Sequence, residues 1–443
     1  MIWILVLAAV LGQNAPQKLT LDEALSIAMK NAFTLRIAES KADKARRVER
    51  GARGAFGPTI TAQSNYQRFD GSVTGTGGSG GTGGTGGTGG TGGTGGSTGF
   101  TGDSKTASVT LTQAIDISGI SRKALEATEF NRKAAEAGLG VEVNNLRLTV
   151  RNAFFNVLLS KALVKVQQDA MAAAQVRLDK AIVREREGAI PRFDVLRFQN
   201  EVRKSEQALA QANGTYENSK HTLNSALAQP IETDVDPQPI DELPAVPTDP
   251  SNLVVEAIRN REEVKQSQFA IIALNRTADV QGVAMKPQLL IQATHSRNLD
   301  PGPGQQNFGS FENIVLSFPL YDSGVARAKV DAARRDEDQA KIGLEQILLG
   351  IALEVRNALT QAQTARKTYD VALDSEKLAT ESLRLAEIRY AEGAGILIDV
   401  TQAQADLTAA QGNVQNAKYQ FLNAYAALLK AVGRDDLNLT EQK

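Results

Sequence analysis

Leu344–Ala372 reads LEQILLGIALEVRNALTQAQTARKTYDVA. Within it Leu344, Leu348, Ile351, Val355, Ala358, Ala362, Ala365, Tyr369 and Ala372 alternate steps of four and three. A sustained apolar period of 3.5 residues demands a helix that supercoils left-handedly against neighbours. After Glu376 the series resumes with Ala379, Leu383, Ala386 and Tyr390, and no proline falls between about residues 325 and 391. At 1.5 Å rise per residue such a helix is roughly 100 Å long, far too long for one globular core. Alanine on the seam lets neighbouring helices approach closely. The stretch predicts a long coiled-coil body.

Shifted back by 205 positions, the seam lands on Leu139, Val143, Leu146, Val150, Ala153, Val157, Ser160 and Val164, in a second proline-free stretch from about 120 to 187. The chain is therefore an internal repeat. Arg151-Asn152-Ala153 matches Arg356-Asn357-Ala358, Ser118-Gly119 matches Ser323-Gly324, and Gly188 with Asp194-Val195 matches Gly393 with Asp399-Val400. Upstream the offset becomes 229, as between Asn31 and Asn260 or Pro58 and Pro287. The first copy thus carries 24 extra residues, and they coincide with a Gly/Thr tract at about 71–104. A loop expansion explains them, and the tract is expected to be disordered. The expected boundaries are a signal peptide at 1–15, a first repeat at 16–229, a Pro-rich acidic linker at 230–250, a second repeat at 251–433 and a tail at 434–443. The linker holds six prolines, six carboxylates and no Lys or Arg, which reads as an extended, solvated connector.

Each copy reads helix, strand, loop, strand, long helix, turn, helix. The opening helices are expected at about 20–56 and 251–285, and the closing ones at 195–228 and 399–432. The hairpin turns between the last two helices of each copy are expected at the end farthest from the strands. In the strands, Ile60, Ala62 and Tyr66 alternate with Thr59, Thr61, Gln63 and Asn65. Ala107, Val109, Leu111 and Ile115 do the same in the return strand, as do Leu289, Ile291 and Ala293 and then Ile314, Leu316, Phe318 and Leu320 in the second copy. Period-two alternation with one greasy face suits either a soluble core or a lipid-facing barrel. Four strands cannot close a membrane barrel, whereas two chains supply eight and three supply twelve.

Composition narrows the function. Lys plus Arg number 49 against 50 Asp plus Glu, which leaves no electrostatic footprint for nucleic acid. Cysteine is absent, histidine occurs only as His221 and His295, and aromatics make up 5%. No catalytic or metal constellation and no cofactor site can be assembled, so an enzyme is not expected. Ile2–Leu11 is an apolar run of ten residues, too short to span a bilayer but suited to an export signal. No later run is long enough for a spanning helix, so membrane entry has to be by β-strands.

Ser317-Phe318-Pro319-Leu320-Tyr321-Asp322-Ser323-Gly324-Val325-Ala326-Arg327 resembles the PL(F/Y)D-G signature of the TolC-like outer-membrane efflux ducts. Arg389–Gly393 followed by Ile398-Asp399-Val400 resembles that family's second hairpin turn, and Arg184–Val195, with Pro191 as an individual feature, resembles the first. The resemblance implies a mainly α fold with a β-barrel portion: duplicated β-hairpins and long coiled-coil helices forming a trimeric twelve-stranded transmembrane barrel and a periplasmic α-helical barrel. It further implies a passive exit duct in the outer membrane of a Gram-negative cell, extending into the periplasm. The implied partners are two further copies of the chain, a periplasmic adaptor, an inner-membrane RND or ABC transporter and outer-membrane lipid, in a tripartite efflux or type I secretion system.

At the periplasmic mouth the resemblance points to Asp399 and Tyr390 as constriction and gating candidates, and the turns bring Asp194, Glu392 and Glu187 to the same end. Gly188, Pro191, Gly393 and Gly395 form the hairpin tips where an adaptor is expected to dock. Departures exist. Gln113–Gly119 is a degenerate form of the signature, Gln402 replaces an often acidic position, and Gly395 stands where a basic residue is expected. Structural roles compete with these: Asp194 and Asp399 as helix N-caps, Tyr390 as seam packing, and His295 as a polar position at a barrel rim. Phe69, Phe100, Phe308 and Phe311 are candidates for an aromatic girdle. The alternative functions are a structural trimeric coiled-coil surface protein and a periplasmic adaptor.

Overall fold

The computed structural model describes residues 17–69, 102–240, 242–283, 285–301 and 307–435. The expected signal peptide, most of the Gly/Thr tract with Phe100, and the tail beyond 435 lie outside these residues. The elements run β1 (Gln17–Leu19), α1 (Leu21–Asn31), α2 (Phe33–Gly54), β2 (Thr59–Phe69), β3 (Gly102–Ile115), α3 (Ile120–Arg186) and α4 (Arg192–Ala226). A second series follows: β4 (Val235–Pro237), α5 (Pro250–Asn260), α6 (Glu262–Gly282), β5 (Gln288–Asn298), β6 (Phe308–Ser317), α7 (Val325–Ala391) and α8 (Leu397–Val432). The two series match element for element. Compactness nevertheless cuts across them. One unit comprises residues up to 46, 130–272 and 337 onward; the other comprises 47–129 and 273–336.

In the first unit the seam residues are interior. Val150, Val157, Val355 and Ala362 are fully buried, and Phe154, Phe155, Phe421 and Tyr425 fill the space between the helices. The opening helices begin with matching caps. Thr20 and Glu23 form a reciprocal capping box (Thr20 N to Glu23 Oε2 2.9 Å, Glu23 N to Thr20 Oγ1 3.3 Å), and Asp249 accepts from Ser251 N at 2.8 Å. Those helices were expected to run unbroken. Both instead break at corresponding points, Ala32 (ψ 126°) and Arg261 (ψ 129°). Neither proline nor glycine marks the breaks. At the second, Arg261 is buried and ion-paired to Glu263 (2.8 Å) and to Glu354 on α7.

The acidic segment after α4 is not a solvated connector. Val235–Pro237 pairs in parallel with Gln17–Leu19, and Val235 is buried. Asn224 donates to the carbonyls of Ile231 and Thr233, both at 2.7 Å. Asp234 and Asp236 meet Lys220 and Lys161, on α4 and α3. Two of its carboxylates are thus paired with lysines of the helices it crosses, while Glu232, Glu242 and Asp249 stay exposed.

The second unit holds a four-stranded antiparallel sheet in the order β2-β3-β5-β6. Register rows run Ile60–Leu111–Ala293–Glu312, Ala62–Val109–His295–Ser310 and Ile115–Leu289–Leu316. Phe318 and Leu320 lie beyond the end of β6, but the other apolar residues of the alternation fall on one face, and Ile60, Leu316 and Ile314 there are 68%, 63% and 70% exposed. The opposite face carries Thr59, Thr61, Gln63, Thr110, Gln292, Thr294 and Asn313. Phe308 lies on the apolar face beside Arg297, but Phe311 pairs with Thr294 on the polar face and does not belong to an apolar-side girdle. His295 also lies on the apolar face, its Nδ1 2.9 Å from Ser310 Oγ.

Each strand passes to its long helix through the same device. Gly119 and Gly324 take positive φ (78° and 84°). Asp322 accepts from Gly324 N (2.9 Å) and Ala326 N (2.6 Å) at the start of α7. In the degenerate copy Asp116 stands one residue earlier in the alignment yet accepts from Ser121 N and Arg122 N at the start of α3. The signature is thus a strand-to-helix turn with a capping carboxylate, and both copies retain it.

Candidate functional site

The hairpin tips belong to the first unit. Each long helix ends on a left-handed glycine, Gly188 (φ 75°) or Gly393 (φ 76°). Ala189 N donates to Arg184 O at 2.9 Å and Ala394 N to Arg389 O at 2.8 Å, the closing bonds of matching C-terminal turns. After the glycine the tips diverge. Pro191 and Ile396 occupy the N-cap positions of α4 and α8, and neither side chain supplies a capping bond. Asp194 and Asp399 lie inside the first helical turns and not at the caps, so the N-cap reading is replaced by one in which both acids sit at the positive end of a helix dipole. Gln402 donates to Asp406 (2.9 Å) and completes no capping box.

Gly395 has a packing reason. A Cβ there would stand 3.1 Å from both Arg389 Cβ and Tyr390 N. The corresponding residue in the first tip, Ile190, packs against the cluster of Ala174, Leu178, Ala181, Val195, Phe198, Val202 and Leu397. Tyr390 packs on that same cluster, with the Arg184 guanidinium 5.3 Å from its ring centre. Its hydroxyl is buried and has no hydrogen-bond partner among the described residues. Burial, and next the nearby Asp194 carboxylate, raise the phenol above its ordinary pKa. Glu187, Glu392 and Asp399 are exposed, while Asp194 is half-buried.

One residue in this region carried no expectation. Arg177 on α3, with a side chain only 11% exposed, donates to Gln404 Oε1 on α8 (2.8 Å) and to Glu201 Oε1 on α4 (3.2 Å). Its Nη1 also lies 3.9 Å from Glu387 Oε1 on α7. A single guanidinium therefore ties both hairpins together. The available sequence signal was Gln404, a polar side chain on the buried stripe of Val400, Ala403 and Leu407.

Arg46 on α2 bonds Glu136 on α3 (2.9 Å), Phe130 on α3 meets Phe269 on α6, and Gln266 and Ala270 on α6 face Ile347 and Ile351 on α7 across a groove. These contacts order the helices α2-α3-α6-α7. Among the described residues no group of acidic or imidazole side chains could hold a metal ion, and no helix is long and apolar enough to cross a membrane.

A sequence profile of the outer membrane efflux protein family matches residues 24–229 and 253–434, both copies of the repeat. The chain belongs to that family. The efflux protein is 24% identical over 347 residues to Nodulation protein T of Rhizobium leguminosarum bv. trifolii, covering 75% of this chain and 72% of the relative. To the outer membrane protein TolC of Escherichia coli it is 23% identical over 354 residues, with 75% and 70% covered. Its fold matches the Campylobacter jejuni CmeC outer membrane channel with a TM-score of 0.76 at 18% identity, covering 93% and 85% of the two chains. The open state of the Neisseria gonorrhoeae MtrE channel gives 0.73 at 20% identity, with 96% and 91% covered. The efflux protein is an outer-membrane channel protein.

Proposed function

We propose that three copies close into one passive duct, which accepts cargo from an inner-membrane pump through a periplasmic adaptor gripping the hairpin tips. The observation that carries the reading is the unfinished row. The outer edges of β2 and β6 have no strand partner among the described residues, and open edges cannot stand in lipid. The helices at the two ends of the row are unfinished as well. On α7, Ile342, Leu349, Leu353, Val371, Leu378 and Leu385 form a stripe opposite the seam, with Leu349 and Leu378 each 74% exposed. On α2, Phe33, Ile37 and Val48 are likewise uncovered. An α2 edge meeting the next copy's α7 edge is a head-to-tail contact that closes into a ring. Twelve strands and a ring of helices follow from three copies.

At the mouth, three copies of Glu187, Asp194, Glu392 and Asp399 gather twelve carboxylates. Glu187 and Glu392 follow the C-terminal ends of α3 and α7, where the helix dipole disfavours negative charge by a few tenths of a kcal/mol. Their presence there supports a role outside folding, a cation-selective constriction that relaxes when the tips are gripped. Arg177 and the packed Tyr390 hold the hairpins in the narrow state.

Mass measurement of the detergent-extracted protein tests the assembly: three copies are expected, and a folded monomer with a closed barrel would overturn the proposal.

A further inference from the structure

The charges of the sheet are distributed unevenly between its faces. Register places Arg68, Lys105, Arg297 and Glu312 on the apolar face, Arg68 in the row above Tyr66, and Arg297 paired with Phe308. Lys105 lies 3.8 Å from Asp300 and 5.9 Å from the centre of the Tyr66 ring, the arrangement of a charge drawn to the border of an apolar band. The opposite face holds no charged side chain among the described residues of the four strands. It carries hydroxyls and amides, among them Thr61, Gln63, Thr110, Gln292, Thr294 and Asn313, together with apolar Leu290, Phe311 and Val315.

Several of these hydroxyls are already engaged. Thr59 Oγ1 donates to Thr112 O (3.3 Å), Thr61 Oγ1 donates to Thr110 O (3.4 Å), and the Thr110 and Thr294 hydroxyls share a bond of 3.1 Å. They can exchange hydrogen bonds with water, but they set up no fixed field. A pore wall with charges of one sign focuses potential and enriches the opposite ion. A wall of satisfied neutral dipoles does neither.

We infer that the barrel section of the duct is electrically indifferent: it passes anionic and cationic solutes alike, and discrimination by charge is made before cargo enters the sheet. The cargo class that fits is a mixture of solutes of either sign. This rests on the reading that copies close the barrel with the polar face inward.

The absence of cysteine permits a direct measurement of the local potential. Thr294→Cys and, as a second site on the same face, Asn313→Cys are each exposed in the assembled protein to a sulfonate-bearing and a trimethylammonium-bearing methanethiosulfonate. Val109→Cys is the apolar-face control. Both inward thiols are expected to react with both reagents, in the rate ratio shown by a free thiol in the same buffer, and the Val109 thiol with neither. A local potential of about one kT per unit charge skews that ratio roughly sevenfold, and a skew of that size at both sites overturns the inference. So does a reactive Val109 thiol beside silent inward sites in a trimer, because the faces are then reversed. Variants and wild type that are monomeric by mass instead break the assembly reading itself.

Discussion

The two hairpin tips share a backbone and differ in chemistry. Both long helices stop on a left-handed glycine with the same pair of closing bonds. Beyond the glycine, the first tip fills its turn with side chains, Ile190 on the apolar cluster and Pro191 opening α4. The second tip has no room for a side chain at the matching place, because Gly395 lies against Arg389 and Tyr390. The first acid, Asp194, is drawn toward Tyr390; its counterpart Asp399 is exposed. Duplication conserved the turn and left each tip free to specialise, one toward packing and one toward the solvent-facing mouth.

The contrast depends on the hairpins being held together, and Arg177 holds them. Arg177→Met leaves Glu201 and Gln404 without their shared donor in a largely enclosed setting. Breaking such a pair is expected to cost about 3 kcal/mol. Melting of the assembled protein should fall accordingly, and single-channel recordings should show a raised open fraction. If Arg177→Met melts like wild type, the two hairpins do not rely on this residue.

An exchange between the tips sharpens the comparison further. Gly395→Ile forces a side chain against the Arg389–Tyr390 backbone and is expected to cost about 1–3 kcal/mol by overpacking. Ile190→Gly removes half-buried apolar area with no clash and should cost less. Equal losses, read as melting shifts, would mean that the tips are interchangeable.

The fold was legible where a period persists and silent where a tertiary partner decides. The proline-free 3.5-residue seam set α3 and α7 to within a residue or two of Ile120–Arg186 and Val325–Ala391. Strand faces followed from alternation, because a one-residue slip would invert them. The breaks at Ala32 and Arg261 left no trace, since neither residue opposes a helix. At the second break the backbone turns where Arg261 reaches Glu354 and where Gly433 packs against Asn260. The acidic connector misled because composition records charge but not the lysines opposite. At the tips the carboxylates and Tyr390 stand out in the sequence, but an arginine on a long helix is by default solvated, and nothing there marks Arg177 as the tie between the hairpins.

The paired acids give a smaller effect. Asp194→Ala and Asp399→Ala each remove a first-turn carboxylate from a helix N-terminus, worth about 0.3–1 kcal/mol and not the larger loss of a true cap. Stability should therefore separate them poorly, while conduction should separate them well. Asp399→Ala is expected to reduce cation preference in single-channel recordings, and Asp194→Ala to act through Tyr390. Identical selectivity in both variants would remove Asp399 from the constriction.

Tyr390 gives the smallest shift and the sharpest decision. Its hydroxyl is buried without a partner among the described residues, a state that costs free energy, so deleting the oxygen should not harm the isolated fold. Tyr390→Phe is expected to leave melting unchanged or to raise it by up to about 1 kcal/mol equivalent. The pH dependence follows from the same burial. Because the folded phenol has a raised pKa, its contribution to stability is complete below the ordinary tyrosine pKa and is lost as pH climbs through the folded value. Tyr390→Phe should therefore blunt the loss of stability above about pH 10, whereas Asp194→Asn, which removes the second cause of the shift, should make that loss smaller without moving its onset. A hydroxyl that instead bonds across to the next copy gives the opposite sign: Tyr390→Phe then melts earlier and opens more often. The direction of that one small shift decides whether the tyrosine packs its own hairpin or latches a neighbour's.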